Sequence, residues 1–195
     1  MILLLAILAG LIAGYTRARL NHSALSIPRL RLAWLVLIAV IPQLLATEFS
    51  FTRQRIPVSM IPPILVGSQV LLLLFALSNL RRPGFILLGI GLTLNLTVIT
   101  LNGGWMPISP DTVTNIAPDA SPGAWEIGER LGFSKDLVMP VSNTRLWALS
   151  DRFVFPGWFP AQVAFSIGDV LIAAGAFLFL FSLGAPSNRL NVLSD

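Results

Sequence analysis

The sequence predicts an all-α membrane protein of about five transmembrane helices. Its N-terminus would lie outside and its C-terminus inside, with a helical outer cap between spans four and five. Three observations carry that expectation. Of 195 residues, 55% are hydrophobic and only 11% charged, where a soluble domain has about 25% charged residues. Apolar runs recur at 1–15, 32–46, 60–80, 84–101 and 167–184, each bounded by charged or turn-forming residues. Arginine is also unevenly placed: Arg17, Arg19, Arg29, Arg31, Arg81, Arg82 and Arg189 would fall inside, and only Arg53 and Arg55 in the short outer loop.

Residues 1–195 read as a single domain, with a mean hydropathy of +0.80. The net charge of +4 and the pI near 11 do not point to nucleic acid. The bases are scattered between apolar runs and form no patch interleaved with exposed aromatics. There is no cysteine, which excludes disulfides, thiolate chemistry and cysteine metal sites.

The first run spans roughly 22 Å as a helix, short for a bilayer core of about 30 Å. No basic residue precedes it, while Arg17 and Arg19 follow, as expected of an uncleaved segment and not a signal peptide. Ala6, Gly10 and Gly14 are spaced four apart and offer another helix a close approach. His22, the sole histidine, falls in the basic loop 16–31 with no ligand partner nearby. Pro42 is expected to kink the second span, and Pro62-Pro63 to open the third. In the fourth, Gly84, Gly91, Asn95 and Asn102 share one helical face. That small-and-polar stripe should meet protein.

Residues 102–160 form the long polar region. They begin with the turn Asn102-Gly103-Gly104-Trp105-Met106-Pro107. Ser109-Pro110-Asp111 reads as the start of a short helix. Others are expected from Ser121-Pro122 to about Leu131 and from Thr144 to about Leu149. Six acids and four bases leave this region at −2. Trp105, Trp125, Trp147 and Trp158, with Phe153, Phe155 and Phe159, would lay it on the headgroup layer.

Asp169 lies within the last apolar run, where a carboxylate marks a functional site by default. It also sits three residues after Ser166, the spacing of a capping box in which the carboxylate binds the Ser166 amide. Asp151 is the second carboxylate of interest. Two aspartates sharing a proton can activate water and protonate a leaving group, and the plainer expectation is that Asp151 pairs with Arg152 or Arg145. Lys135, the sole lysine, reads with Ser134 as a solvated loop pair. No phosphate loop, metal cluster or Ser/His/Asp set is present, and no cofactor is implied.

Two resemblances can be stated. Leu149-Ser150-Asp151-Arg152 and Phe165-Ser166-Ile167-Gly168-Asp169 are similar to the C-terminal part of bacterial lipoprotein signal peptidase, over about a fifth of the chain. Ala148 and Ser166 stand where that family has asparagine, and its early Asp-x-x-Lys element is absent. Over nearly its whole length the chain resembles a family of bacterial integral membrane proteins of unknown function. The shared features are Arg17-Ala18-Arg19-Leu20, Asn102-Gly103-Gly104-x-Met106-Pro107, Thr144-x-Leu146-x-x-Leu149-x-Asp151 and Ser166-Ile167-Gly168-Asp169.

The combined expectation is a multi-pass protein of the bacterial cytoplasmic membrane, non-enzymatic, binding a lipid, small ligand or partner at its outer face. Asn95, Asn102, Gly103, Gly104, Ser166 and Asp169 are the binding candidates. Membrane lipid, a protein partner or self-association are the expected partners, and nucleic acid is not. A membrane aspartic hydrolase using Asp151 and Asp169 is one alternative. A small transporter with a polar path through Gln43, Gln69, Asn95 and Asp169 is another.

Overall fold

The computed structural model describes residues 1–121 and 123–186. Five longer helices form its frame: α1 (Ile2–Leu20), α2 (Trp34–Thr47), α4 (Ile61–Ser78), α5 (Phe85–Leu101) and α7 (Ile167–Ser182). The short helices are α3 (Ser50–Arg53) and α6 (Pro110–Ile116). Between α5 and α7 lie four short strands: β1 (Met106–Ile108), β2 (Asp136–Val138), β3 (Phe153–Val154) and β4 (Ala164–Phe165).

The long helices pack as a row in the order α1, α7, α5, α4, α2. Small residues set the two tightest contacts. Gly10 of α1 approaches Phe177 and Leu180 of α7 so closely that a Cβ there would stand 3.0 Å from the Leu180 Cβ. Gly91 of α5 lies against the Gly168 carbonyl and Ile172 of α7, and a Cβ on Gly168 would collide with Asn95. The small-residue stripes on the first and fourth apolar runs therefore face protein. Phe85 fills the lower part of the α5–α7 contact, edge-on to both Phe75 and Phe179 at 5.4 and 5.3 Å. Gln43 and Gln69 are half-buried on α2 and α4.

The five-span expectation does not hold. Among the described residues two helices are long and apolar enough to cross a membrane, Ile2–Leu20 and the continuous helical stretch Val58–Ser78. Helices α2, α5 and α7 have only 14, 17 and 16 residues, a rise of roughly 21, 26 and 24 Å against a hydrocarbon core of about 30 Å. The apolar runs overstate the helices because hydropathy counts side chains and not helical rise. Leu32, for example, takes a left-handed backbone (φ 55°) outside α2. With two candidate spans, the multi-pass topology, its orientation and the multi-pass cytoplasmic-membrane location are not retained. Arg189, assigned to the inner tail, lies outside the described residues.

The all-α expectation is corrected as well. Ser109 caps α6 as its sequence implies, its hydroxyl accepting from the Thr112 amide at 3.2 Å. The other two cap helices do not form. Residues 123–131 make turns, and only a 3-10 turn at Trp147–Leu149 stands in the third stretch. In their place β1 and β2 pair in parallel, Met106 opposite Asp136 and Ile108 opposite Val138, and β3 and β4 pair antiparallel. Strands of two or three residues are too short to display alternation. Arg130 ties this region to the frame, its Nε donating to the Ser134 carbonyl at 2.6 Å and its Nη2 to Ala46 near the end of α2 at 3.2 Å. Burial lowers its guanidinium, and Asp136 offsets part of that effect.

Candidate functional site

Strand β1 is the seam of the site. Ile108, Val113 and Val138 are fully buried beneath it and anchor it apolarly. Its Met106 amide donates to the Lys135 carbonyl at 3.2 Å, bringing the Lys135-Asp136 pair to one edge. On the other edge the Asp151 amide donates to the Pro107 carbonyl at 3.1 Å, and Ile108 and Asp151 form a parallel bridge. Backbone pairing thus brings together two carboxylates that lie 15 positions apart in sequence.

Lys135 closes the gap between them. Its ammonium bridges Asp136 Oδ1 at 3.2 Å and Asp151 Oδ2 at shorter range. Asp151 is 1% exposed, while the lysine side chain retains 30% exposure and marks the open edge. Asp169 lies near enough to add its charge to both Lys135 and Asp151. Burial works against the Lys135 charge, but Asp136, Asp151 and Asp169 outweigh it and hold the ammonium well above the ordinary lysine value. Burial raises the Asp151 carboxyl, Lys135 opposes that, and Asp136 and Asp169 reinforce it, leaving it well above the usual carboxylate range. Asp151 Oδ1 is buried with no hydrogen-bond partner.

Asp169 is built into the neighbouring wall. The capping box is formed: Ser166 Oγ accepts from the Asp169 amide at 3.0 Å and Asp169 Oδ2 accepts from the Ser166 amide at 3.1 Å. Asn95 crosses from α5 to complete it, donating to Asp169 Oδ1 at 2.8 Å and accepting from the Ser166 hydroxyl at 3.0 Å. Gly168, lacking a Cβ, leaves room for Asn95 to reach both. Three of the binding candidates, Asn95, Ser166 and Asp169, therefore form one network facing Lys135.

Asn102 is used differently. Its amide clamps the Arg145 backbone, donating to the carbonyl at 2.9 Å and accepting from the amide at 2.9 Å, and also donates to Val98 at 2.7 Å. Gly104 (φ 87°) packs against Pro62, where a Cβ would sit 2.5 Å from the proline ring, and Gly103 (φ 72°) has open space above it. These three position β1 and contribute no free side-chain polar group to the cluster.

The aspartic-hydrolase alternative is overturned by this arrangement. A proton-sharing dyad needs two carboxyls in direct contact. Here one Asp151 oxygen is taken by Lys135, and both oxygens of Asp169 are taken by Asn95 and the Ser166 amide. A protonated lysine is also a poor base or nucleophile. Nor does the transporter path form. Asn95 and Asp169 are spent on one another, and the Gln69 Oε1 atom is buried without a partner. Among the described residues no group of His, Cys, Asp or Glu could hold a metal ion. The expected ion pair of Asp151 with Arg152 or Arg145 is absent, and Arg152 instead stacks over Trp147 at 3.9 Å.

Sequence reasoning missed Lys135 as a site residue. One signal was available: it is the single lysine among thirteen basic residues, and it directly precedes Asp136.

A family model described as "Family of unknown function (DUF5317)" matches residues 28–181, which include every residue of this cluster. No curated protein and no solved structure matches the chain.

Proposed function

The chain belongs to that family of unknown function, which hands down no activity, and we propose that it is a non-catalytic binding protein whose site is the Lys135 cluster. The ligand or partner would present a cationic hydrogen-bond donor, an ammonium or a guanidinium. The observation that carries this reading is the imbalance of the cluster. Three carboxylates share one internal ammonium, and Asp151 Oδ1 has no donor. A buried acceptor without a donor costs about 1–3 kcal/mol, and an incoming N–H would relieve it. Lys135 and Asp136 form the more open edge, with side chains 30% and 13% exposed, so Asp136 is more accessible to a cation than Asp151 at 1%. Asn95 and Ser166 hold Asp169 in place behind it, and Asn102, Gly103 and Gly104 hold β1.

Thermal unfolding of the full chain with spermidine as a soluble polyamine probe tests this reading. The expected result is a saturable rise in Tm for the wild type. The rise should shrink in Asp136→Asn and disappear in Asp151→Asn. No rise in the wild type, or an equal rise in all three proteins, overturns it.

A further inference from the structure

At the end of the molecule where α4 stops and α5 starts, the structure assigns a second and unrelated site: a phosphate-binding cleft joined to an apolar groove, fitted to an anionic phospholipid. A cavity of about 690 Å³ is lined there by Arg29, Arg31, Arg81 and Arg82 with Asn79. The four arginines come from two segments about 50 positions apart, and Asn79 locks those segments together. Its side chain accepts from the Arg31 amide at 2.9 Å and donates to the Arg31 carbonyl at 2.8 Å. It is anchored in turn on Phe75 at 2.9 Å.

These four guanidinium groups differ from most of the others. Arg17, Arg19, Arg53, Arg55 and Arg152 each lie over an aromatic ring, and Arg130 is bonded to backbone carbonyls. Among the described residues no carboxylate pairs with any of the four cavity arginines, and the one side-chain bond is a long contact of 3.5 Å from Arg82 to the Arg29 carbonyl. Two charges would offset the negative end of α4. Four gathered around one cleft, beside an α5 N-terminus that has neither acidic residue nor side-chain cap, make a field that favours a polyanion. Arginine forks match phosphate oxygens in pairs.

The neighbouring groove determines which phosphate. A cavity of about 330 Å³ between α4 and α5 is walled by Leu77, Leu80, Ile86, Ile90 and Leu94. Leu77 and Leu80 also line the arginine cleft. The two cavities thus share a wall, one cationic and one aliphatic. A soluble phosphate would use only the first; a phospholipid would place its headgroup on the arginines and an acyl chain along the leucines.

The test uses the full chain in neutral-detergent micelles, with Tm read against added phosphatidic acid, phosphatidylcholine or inorganic pyrophosphate. Phosphatidic acid should stabilise saturably, phosphatidylcholine should not, and added salt should weaken the effect. Arg81→Gln/Arg82→Gln should weaken the phosphatidic acid response by about ten-fold or more. Gly89→Leu puts a side chain into the groove at a position where a Cβ meets nothing nearer than Leu80 Cδ2 at 3.8 Å, and its unchanged pyrophosphate response reports that the fold is kept. It should weaken phosphatidic acid but leave pyrophosphate unchanged. The proposal is overturned if the double arginine variant binds phosphatidic acid as the wild type does. It is equally overturned if Gly89→Leu has no effect on the lipid, because the groove would then hold no chain.

Discussion

The two ends of α4 and α5 are built alike and charged oppositely. Asn79 at the end of α4 and Asn102 at the end of α5 make the same clamp. Each bonds both backbone groups of one distant arginine, Arg31 or Arg145, and donates to the carbonyl four residues earlier in its own helix. What the clamps position is opposite in sign. The Asn102 end gathers three carboxylates near one half-buried ammonium, and the Asn79 end gathers four arginines with no carboxylate. The first cluster is met only in part from within, by Lys135, and most of it is built into the fold. The second is exposed and awaits a counter-charge from outside. Similar backbone devices can thus present charge of either sign, and burial decides how much of it is met from within.

The largest expected effect tests the structural side of that contrast. Lys135→Met leaves the Asp151 carboxyl without its partner at 1% exposure; removal of one partner of a buried pair costs about 3–5 kcal/mol, and less wherever the carboxyl takes up a proton. The double change Lys135→Met/Asp151→Leu should recover part of that loss, because it removes the orphaned charge. Urea denaturation of the two variants measures the difference. A double variant less stable than the single one would mean that the lysine supports the fold by packing alone.

Substitution of glycine should separate the ends next. Gly168→Ala drives a methyl into Asn95 and breaks the network that holds Asp169, at a cost of about 1–3 kcal/mol for overpacking. Gly89→Ala, on α5 nearer the arginines, meets only Leu80 at 3.8 Å and should gain up to about 1 kcal/mol of helix propensity. Thermal unfolding of the pair is sufficient to measure both.

The pH response is a third distinction. Lys135 and Asp151 both hold their protons more tightly when folded. The stability each contributes is therefore complete below its ordinary value and is lost as pH rises through its raised native value. Stability should fall with rising pH in two windows, one above the usual carboxylate range and one above the usual lysine range. In Asp151→Asn the first window should disappear and the second remain. Chemical denaturation across pH checks this, and a variant that keeps both windows would assign the first to another carboxyl.

How much of this was legible in the sequence follows from the range of each interaction. The Ser166–Asp169 box is a three-residue pattern and is formed as read. The Gly91 and Asn95 stripe follows from helical periodicity, and it does meet α7. The Lys135 bridge to Asp151 depends on strands of three residues or fewer, which leave no periodic trace, so the lysine reads as a loop residue. The count of membrane spans, not of long helices, failed for a different reason. Apolar runs extend into turns, as at Leu32, and stop being helical before a membrane's thickness is reached. Arg29, Arg31, Arg81 and Arg82 were visible as a charge bias. Their convergence was not, because it requires the Asn79 side chain to find the Arg31 backbone 48 positions away.

The smallest expected effect bears most directly on the arginine end. Charges retained for the fold should cost stability when removed. Charges retained for a ligand should cost nothing, or should repel one another. Arg81→Gln is expected to change stability by no more than about 0.5 kcal/mol, as exposed substitutions do, and in the stabilising direction. Because the interaction is between solvent-facing charges, that gain should be largest at low ionic strength and fade near about 0.15 M salt, where the screening length is about 8 Å. Urea titrations at two salt concentrations read the sign. A loss of stability that does not change with salt would place Arg81 in the fold, and would make the two ends alike in purpose as well as in construction.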